Sequence, residues 1–130
     1  MISAATPKAI LIVDDEPSIR DSLQMFLEDC GHQVKTAASM AEALKLLGRE
    51  PFGLAIVDVR LSDGNGNQLA LEARALQPQL RILMHTGSIE YQLPPELVEL
   101  GLGEDQVLRK PQPDLMTVLR RIETELGCLE

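Results

Sequence analysis

Aromatic side chains are nearly missing from this chain: Phe26, Phe52 and Tyr91 are the only three in 130 residues, and there is no tryptophan. The core must therefore be aliphatic, built from Leu, Ile, Val and Ala. Cysteine is scarce as well. Cys30 and Cys128 have neither metal-ligand spacing nor a companion motif. They would pair only if the fold brought them together, so they read as reduced thiols in a cytosolic protein. No apolar run approaches the length of a membrane span, and no stretch has the pattern of a signal peptide. Positive charge is also short: 12 Lys and Arg stand against 20 Asp and Glu, a net charge of −8. That balance argues against direct nucleic-acid binding and for solubility or basic partners. The 45% hydrophobic and 25% charged residues are ordinary for a soluble globular protein. The length suits one domain with a proper core. Internal repeats, low-complexity segments and linkers are not apparent.

What is present is organised around Leu54-Ala55-Ile56-Val57-Asp58. A short apolar run with β-branched members ends on a carboxylate, and a loop rich in Gly, Asn and Asp follows. This reads as a buried strand with Asp58 at its carboxyl end. Ala9-Ile10-Leu11-Ile12-Val13-Asp14-Asp15 is built the same way, so two strands deliver three carboxylates to one edge. Such a cluster repels itself unless a cation or protons neutralise it. Hard oxygen ligands on one rim suit Mg2+.

The remaining elements alternate. Met1 to Pro7 reads as a loose tail, and Lys8–Val13 as the first strand. Pro17 opens a helix capped by Asp15 or Glu16, with Ile19, Leu23, Phe26 and Leu27 on one face and Gly31 at its end. His32–Ala37 reads as an edge strand. Ser39 and Glu42 have the form of a capping box for a second helix through Leu44 and Leu47. A third helix runs from about Asn67 to Leu76, with Leu69, Ala70, Ala73 and Leu76 inward. Arg81–His85 is a fourth strand, ending on Thr86-Gly87. Ser88 to Gly103 is irregular, with a short helix starting near Glu96 and few apolar anchors. Val107–Arg109 is a fifth strand, ending on Lys110-Pro111. Pro113 starts a last helix with Leu115, Val118, Leu119, Ile122 and Leu126 inward, ended by Gly127. Five strands alternating with five helices predict a doubly wound α/β domain with a parallel sheet. Its carboxyl edge then carries Asp14, Asp15, Asp58, Thr86 and Lys110.

This ordered set resembles the receiver domains of two-component response regulators, over essentially the whole chain. The matching residues are Asp14-Asp15 within Val-Asp-Asp-Glu-Pro, Asp58, Thr86-Gly87 and Lys110-Pro111. Gly66, eight positions after Asp58, matches as well. The resemblance implies residues 1–130 as a single flavodoxin-like (βα)5 receiver with strand order 2-1-3-4-5, the order the receiver CheY exemplifies. It implies Asp58 as the nucleophile that accepts a phosphoryl group from the phosphohistidine of a sensor kinase or phosphotransfer protein. Asp15 and Asp58 would bind Mg2+ directly, Asp14 would lie close by or act through water, and the Arg60 backbone carbonyl would be a further ligand. Lys110 would neutralise a phosphoryl oxygen as a mobile point charge, and the Thr86 hydroxyl would bond another. The Lys110-Pro111 bond would be cis. The protein would then be a phosphoacceptor with slow autodephosphorylation rather than an enzyme, cytoplasmic, and a monomer or phosphorylation-linked dimer.

Three positions depart from the family pattern. Val107 stands where receivers carry the Tyr or Phe that turns inward when the threonine moves. Ser62 replaces a common proline, and the fourth helix is short. These leave two rivals: a pseudo-receiver whose partner binding ignores phosphorylation, and the receiver portion of a longer transcription factor or enzyme. His85 reads as packing or a backbone partner. Met25, Met40, Met84 and Met116 read as core or gap fillers. Arg20, Arg120 and Arg121 read as solvated helix faces, and Asp63 as a turn residue.

Overall fold

Ile10-Leu11-Ile12-Val13 is buried at every position, which restricts it to the middle of a sheet covered on both faces. The computed structural model describes residues 9–110 and 115–127. In chain order the elements are β1 (Ile10–Val13), α1 (Pro17–Asp29), β2 (Val34–Ala37), α2 (Met40–Leu47), β3 (Leu54–Asp58), β4 (Arg60–Leu61), β5 (Gly64–Asn65) and α3 (Gly66–Leu76). Then follow β6 (Arg81–Thr86), α4 (Pro95–Glu99), a 3-10 turn (Glu104–Gln106), β7 (Val107–Arg109) and α5 (Leu115–Leu126). The main sheet is parallel, with order β2-β1-β3-β6-β7. β4 and β5 form a separate antiparallel pair. With that pair set aside, the order is the expected 2-1-3-4-5.

Strand alternation sorts the core into two layers. Ile10, Ile12, Leu54, Ile56, Leu83 and Leu108 pack with Leu23 and Leu27 of α1 and Val118, Ile122 and Leu126 of α5. Their neighbours Leu11, Val13, Ala55, Val57, Ile82 and Met84 pack with Leu47 of α2, Leu69, Ala70 and Ala73 of α3, and Leu97 of α4. Burying each large aliphatic side chain contributes about 1.5–3 kcal/mol.

Several details differ from the sequence reading. β2 starts at Val34, because His32 closes α1 with its N–H on the Leu27 carbonyl (3.0 Å). Gly31, just before His32, lies in the left-handed region at φ 94°. α1 begins after Glu16, which makes no side-chain cap; the Glu16 N–H is held instead by Asp14 Oδ1 at 2.9 Å. At α2, Ser39 Oγ accepts the Glu42 N–H as a capping box requires, but Glu42 reaches the Ala38 N–H rather than that of Ser39. Asp63 is more than a turn residue. Its carboxylate accepts the N–H groups of Met40 and Ala41 (2.8 and 3.0 Å), tying the β4–β5 connection to the start of α2. Leu76 and Leu115 are exposed, since each sits at a terminus of its helix. Met25 and Met116 are also exposed, whereas Met84 is buried. Arg20 is not simply solvated: its guanidinium donates to the Asp14 carbonyl at 2.8 Å. The stretch after Ser88 is better anchored than expected. Leu97 and Leu102 are buried, and Tyr91, Leu93 and Leu100 pack against the same core. The tail to Pro7, the Lys110-Pro111 bond, Pro113 and Cys128 lie outside the described residues.

Candidate functional site

Register builds the site. Val13 pairs with Val57, so Asp14 and Asp58 emerge side by side from the carboxyl ends of β1 and β3. Asp14 and Asp58 keep the parity of Ile12 and Ile56, and Lys110 keeps that of Leu108. All three thus continue one face of the sheet past its edge. Lys110 Nζ lies 3.1 Å from Asp14 Oδ2 and 3.4 Å from Asp58 Oδ2. Its backbone N–H is fixed on the Thr86 carbonyl at 2.6 Å. Asp15 is exposed, whereas Asp14 and Asp58 are buried. A cavity of about 420 Å³ opens over the edge, lined by Asp15, Glu16, Asp58, Arg60, Thr86, Gly87, Ser88 and Lys110.

The electrostatics follow from this crowding. Burial and the Asp14 charge push the Asp58 carboxyl up to about 6, against the pull of Lys110 and of the Arg60 N–H on Oδ1. Burial alone would lower Lys110. The Asp14 hydrogen bond and the charges of Asp58 and Asp14 more than offset it, and the ammonium is held above its usual range. His85, the register partner of Asp58, is pushed down to about 4 by burial and by Lys110, so it is neutral near pH 7. Its carbonyl accepts the Val59 N–H at 3.0 Å, while its buried imidazole Nε2 has no hydrogen-bond partner among the described residues.

Two loops frame the cavity. In one, the Gly66 N–H donates to the Val59 carbonyl at 2.7 Å, and a Cβ at Gly66 would collide with the Asp58 carbonyl. Only glycine lets the start of α3 close this tightly under the Asp58 backbone. In the other, Thr86 Oγ1 accepts the Ser88 N–H at 3.0 Å. The guanidinium of Arg109 holds the carbonyls of Ser88 (2.9 Å) and Tyr91 (3.2 Å), and the Tyr91 hydroxyl donates to Asn67 Oδ1 at 2.6 Å. Sequence reasoning missed Arg109, Asn67 and Tyr91 as partners of this loop. Val107 is buried in β7 and brings no ring to it.

Carboxylate oxygens of Asp14, Asp15 and Asp58 lie within 4.8 Å of one another. Three hard anionic donors at this spacing, one with a raised pKa, fit a small divalent cation that removes their repulsion.

The molecule is thus a doubly wound α/β domain whose five-stranded parallel sheet carries an acid–threonine–lysine set on its carboxyl edge. The sequence model of the response regulator receiver domain matches residues 10–121, and the chain belongs to that family of two-component signalling domains. It is 30% identical over 128 residues to the alginate biosynthesis transcriptional regulatory protein AlgB of Pseudomonas putida, covering 93% of this chain and 28% of that protein. The chain thus spans about a quarter of the length of that relative. Its fold is similar to a CheY-like response regulator receiver domain protein from Methanospirillum hungatei, with TM-score 0.82 and 35% identity over 93% of this chain and 94% of the other. It is also similar to the response regulator TrrA of Thermotoga maritima in complex with Mg(2+)-BeF, with TM-score 0.78 and 27% identity over 91% and 98%. Among the described residues no helix is long and apolar enough to cross a membrane.

Proposed function

We infer that this chain is a phosphoacceptor receiver, with Asp58 as the residue modified. The observation that carries the reading is the position of Asp58: buried, 3.4 Å from Lys110, and within 4.8 Å of two further carboxylates. With its carboxyl pushed up to about 6, Asp58 is mostly ionised near pH 7 and ready to act as a nucleophile. One carboxylate oxygen attacks phosphorus as the P–N bond of a donor phosphohistidine breaks. The product is an acyl phosphate, and the released imidazole takes up a proton. Asp15 and Asp58 would hold Mg2+, with Asp14 beside them and the Arg60 carbonyl as a further ligand. When bound, the ion neutralises the charge that opposes attack by an anion on a phosphoryl dianion. Lys110 exchanges its contact with Asp58 for a phosphoryl oxygen, and the Thr86 hydroxyl turns from Ser88 to bond another. The Mg(2+)-BeF complex of TrrA supports the metal and the phosphoryl pocket by similarity.

The donor is a sensor histidine kinase or phosphotransfer protein in the cytoplasm. The receiver itself contacts no nucleic acid and works as a monomer or a phosphorylation-linked dimer. Because a relative of this chain is a transcriptional regulator more than three times as long, the receiver is also proposed to serve as the input of a longer transcription factor. A pseudo-receiver is the second reading, favoured by Val107 in place of the usual ring. Incubation with Mg2+ and a small acyl-phosphate donor separates the two readings. The phosphoacceptor gains one phosphoryl mass, and Asp58→Asn gains none. A wild type that stays unlabelled at saturating donor is a pseudo-receiver.

A further inference from the structure

Two hydrogen-bonded routes leave the site and meet at Tyr91. Next to Asp58, the Val59 carbonyl accepts the Gly66 N–H at 2.7 Å, and Asn67 follows, whose Oδ1 accepts the Tyr91 hydroxyl at 2.6 Å. From Thr86, Oγ1 holds the Ser88 N–H at 3.0 Å, and the Ser88 carbonyl is held by Arg109 Nη1 at 2.9 Å. Arg109 Nη2 then reaches the Tyr91 carbonyl at 3.2 Å. The ring of contacts runs Asp58, Val59, Gly66, Asn67, Tyr91, Arg109, Ser88, Thr86 and back to the site.

We propose that Arg109 is a positioning residue that clamps the loop after Thr86 and links it to α3 through Tyr91, in the role that Val107 has no ring to fill. This deepens the phosphoacceptor reading and rests on it for the signal, though not for the clamp. The residue types fit. A guanidinium presents several donors in a rigid fork and spans two carbonyls three residues apart, which an ammonium on a flexible stem does not reproduce. The second Nη2 contact, to Glu104 Oε1 at 3.2 Å, joins side chains that are 34% and 71% exposed. An exposed pair of this kind contributes little, so the two carbonyl bonds carry the clamp. When the Thr86 hydroxyl leaves Ser88 for a phosphoryl oxygen, the Ser88 backbone loses the tie at its N–H and keeps those at its carbonyl, and Arg109 transmits the change to Tyr91 and Asn67.

The test uses the whole chain. Arg109→Lys keeps the charge and loses the fork. Tyr91→Phe keeps the ring and loses the hydroxyl. Amide exchange is followed by mass spectrometry without metal or donor in wild type, both single variants and the double variant. The clamp predicts roughly three- to tenfold faster exchange across Ser88–Tyr91 in each single variant, as for loss of one net hydrogen bond. It also predicts a double variant that exchanges no faster than the faster single variant. Unchanged exchange in Arg109→Lys, or effects of the two substitutions that multiply, overturns the proposal. The same four proteins and a fifth, Glu104→Gln, are then labelled with donor and Mg2+, and the acyl-phosphate lifetimes are compared. A changed lifetime in Arg109→Lys and an unchanged one in Glu104→Gln support transmission through the carbonyl bonds, and the reverse pattern contradicts it. Coupled exchange in a wild type that cannot be phosphorylated would refute the phosphoacceptor reading and leave the clamp standing.

Discussion

Gly66 lies so close under Asp58 that a single added methyl group would overlap the Asp58 carbonyl oxygen and crowd the Val57 side chain. The atom in the way is backbone, which cannot swing aside as a side chain would. Gly66→Ala is therefore expected to destabilise the protein by about 1–3 kcal/mol, the usual cost of overpacking, despite alanine's better helix propensity. It should also shift the Asp58 backbone and slow labelling. A thermal melt and a labelling time course check both effects. A variant as stable as wild type would show that the contact is loose.

The raised Asp58 carboxyl makes stability depend on pH. Its folded value, about 6, lies above the ordinary 3.8. The folded state therefore holds the proton more tightly, and the favourable contribution is fully present below pH 3.8 and lost as pH rises through 6. Asp58→Asn resembles the protonated form at every pH. Without metal, it should nearly match wild type near pH 4 and exceed it by about 3 kcal/mol above pH 7. Paired chemical melts across that window measure the difference. A constant gap, or a variant less stable at pH 7, would contradict the crowding of these carboxylates.

Much of this site is legible in the amino-acid order. Strand parity alone places Asp14, Asp58 and Lys110 on one face, because each continues an alternating apolar run whose period is two. The contacts that escaped notice are of another kind. Asp63 caps α2 from across the sheet edge, and Gln77 bonds the Phe52 N–H and the Leu47 and Glu50 carbonyls. Arg109 likewise grips carbonyls of a distant loop. Such bonds join a side chain to a backbone many residues away and leave no local pattern to read. The two-residue strands β4 and β5 are too short to show any period. Periodicity also runs one residue too far at Leu76 and Leu115, since it does not register where a helix leaves its sheet.

Lys110 neutralises both buried acids, so its loss should be felt most without metal. Its ammonium is held above its usual range; the stabilisation is therefore fully present at pH 7 and lost only at strongly alkaline pH. Lys110→Gln is expected to lower metal-free stability by about 1–3 kcal/mol, as for removal of a charged hydrogen-bond partner. Millimolar Mg2+ should restore more stability to this variant than it adds to wild type, because a cation replaces the missing charge. Equal Mg2+ shifts in melting temperature for the two proteins would argue that the cation does not bind at this edge.

The most direct measurement is the intact mass of the full chain after brief exposure to an acyl-phosphate donor, with and without Mg2+, followed by hydroxylamine treatment. A phosphoryl group on Asp58 gives a single added phosphoryl mass that requires Mg2+, disappears with hydroxylamine as an acyl phosphate must, and is missing in Asp58→Asn. Labelling that survives hydroxylamine, proceeds equally without Mg2+ or persists in Asp58→Asn would place the chemistry elsewhere and contradict the account.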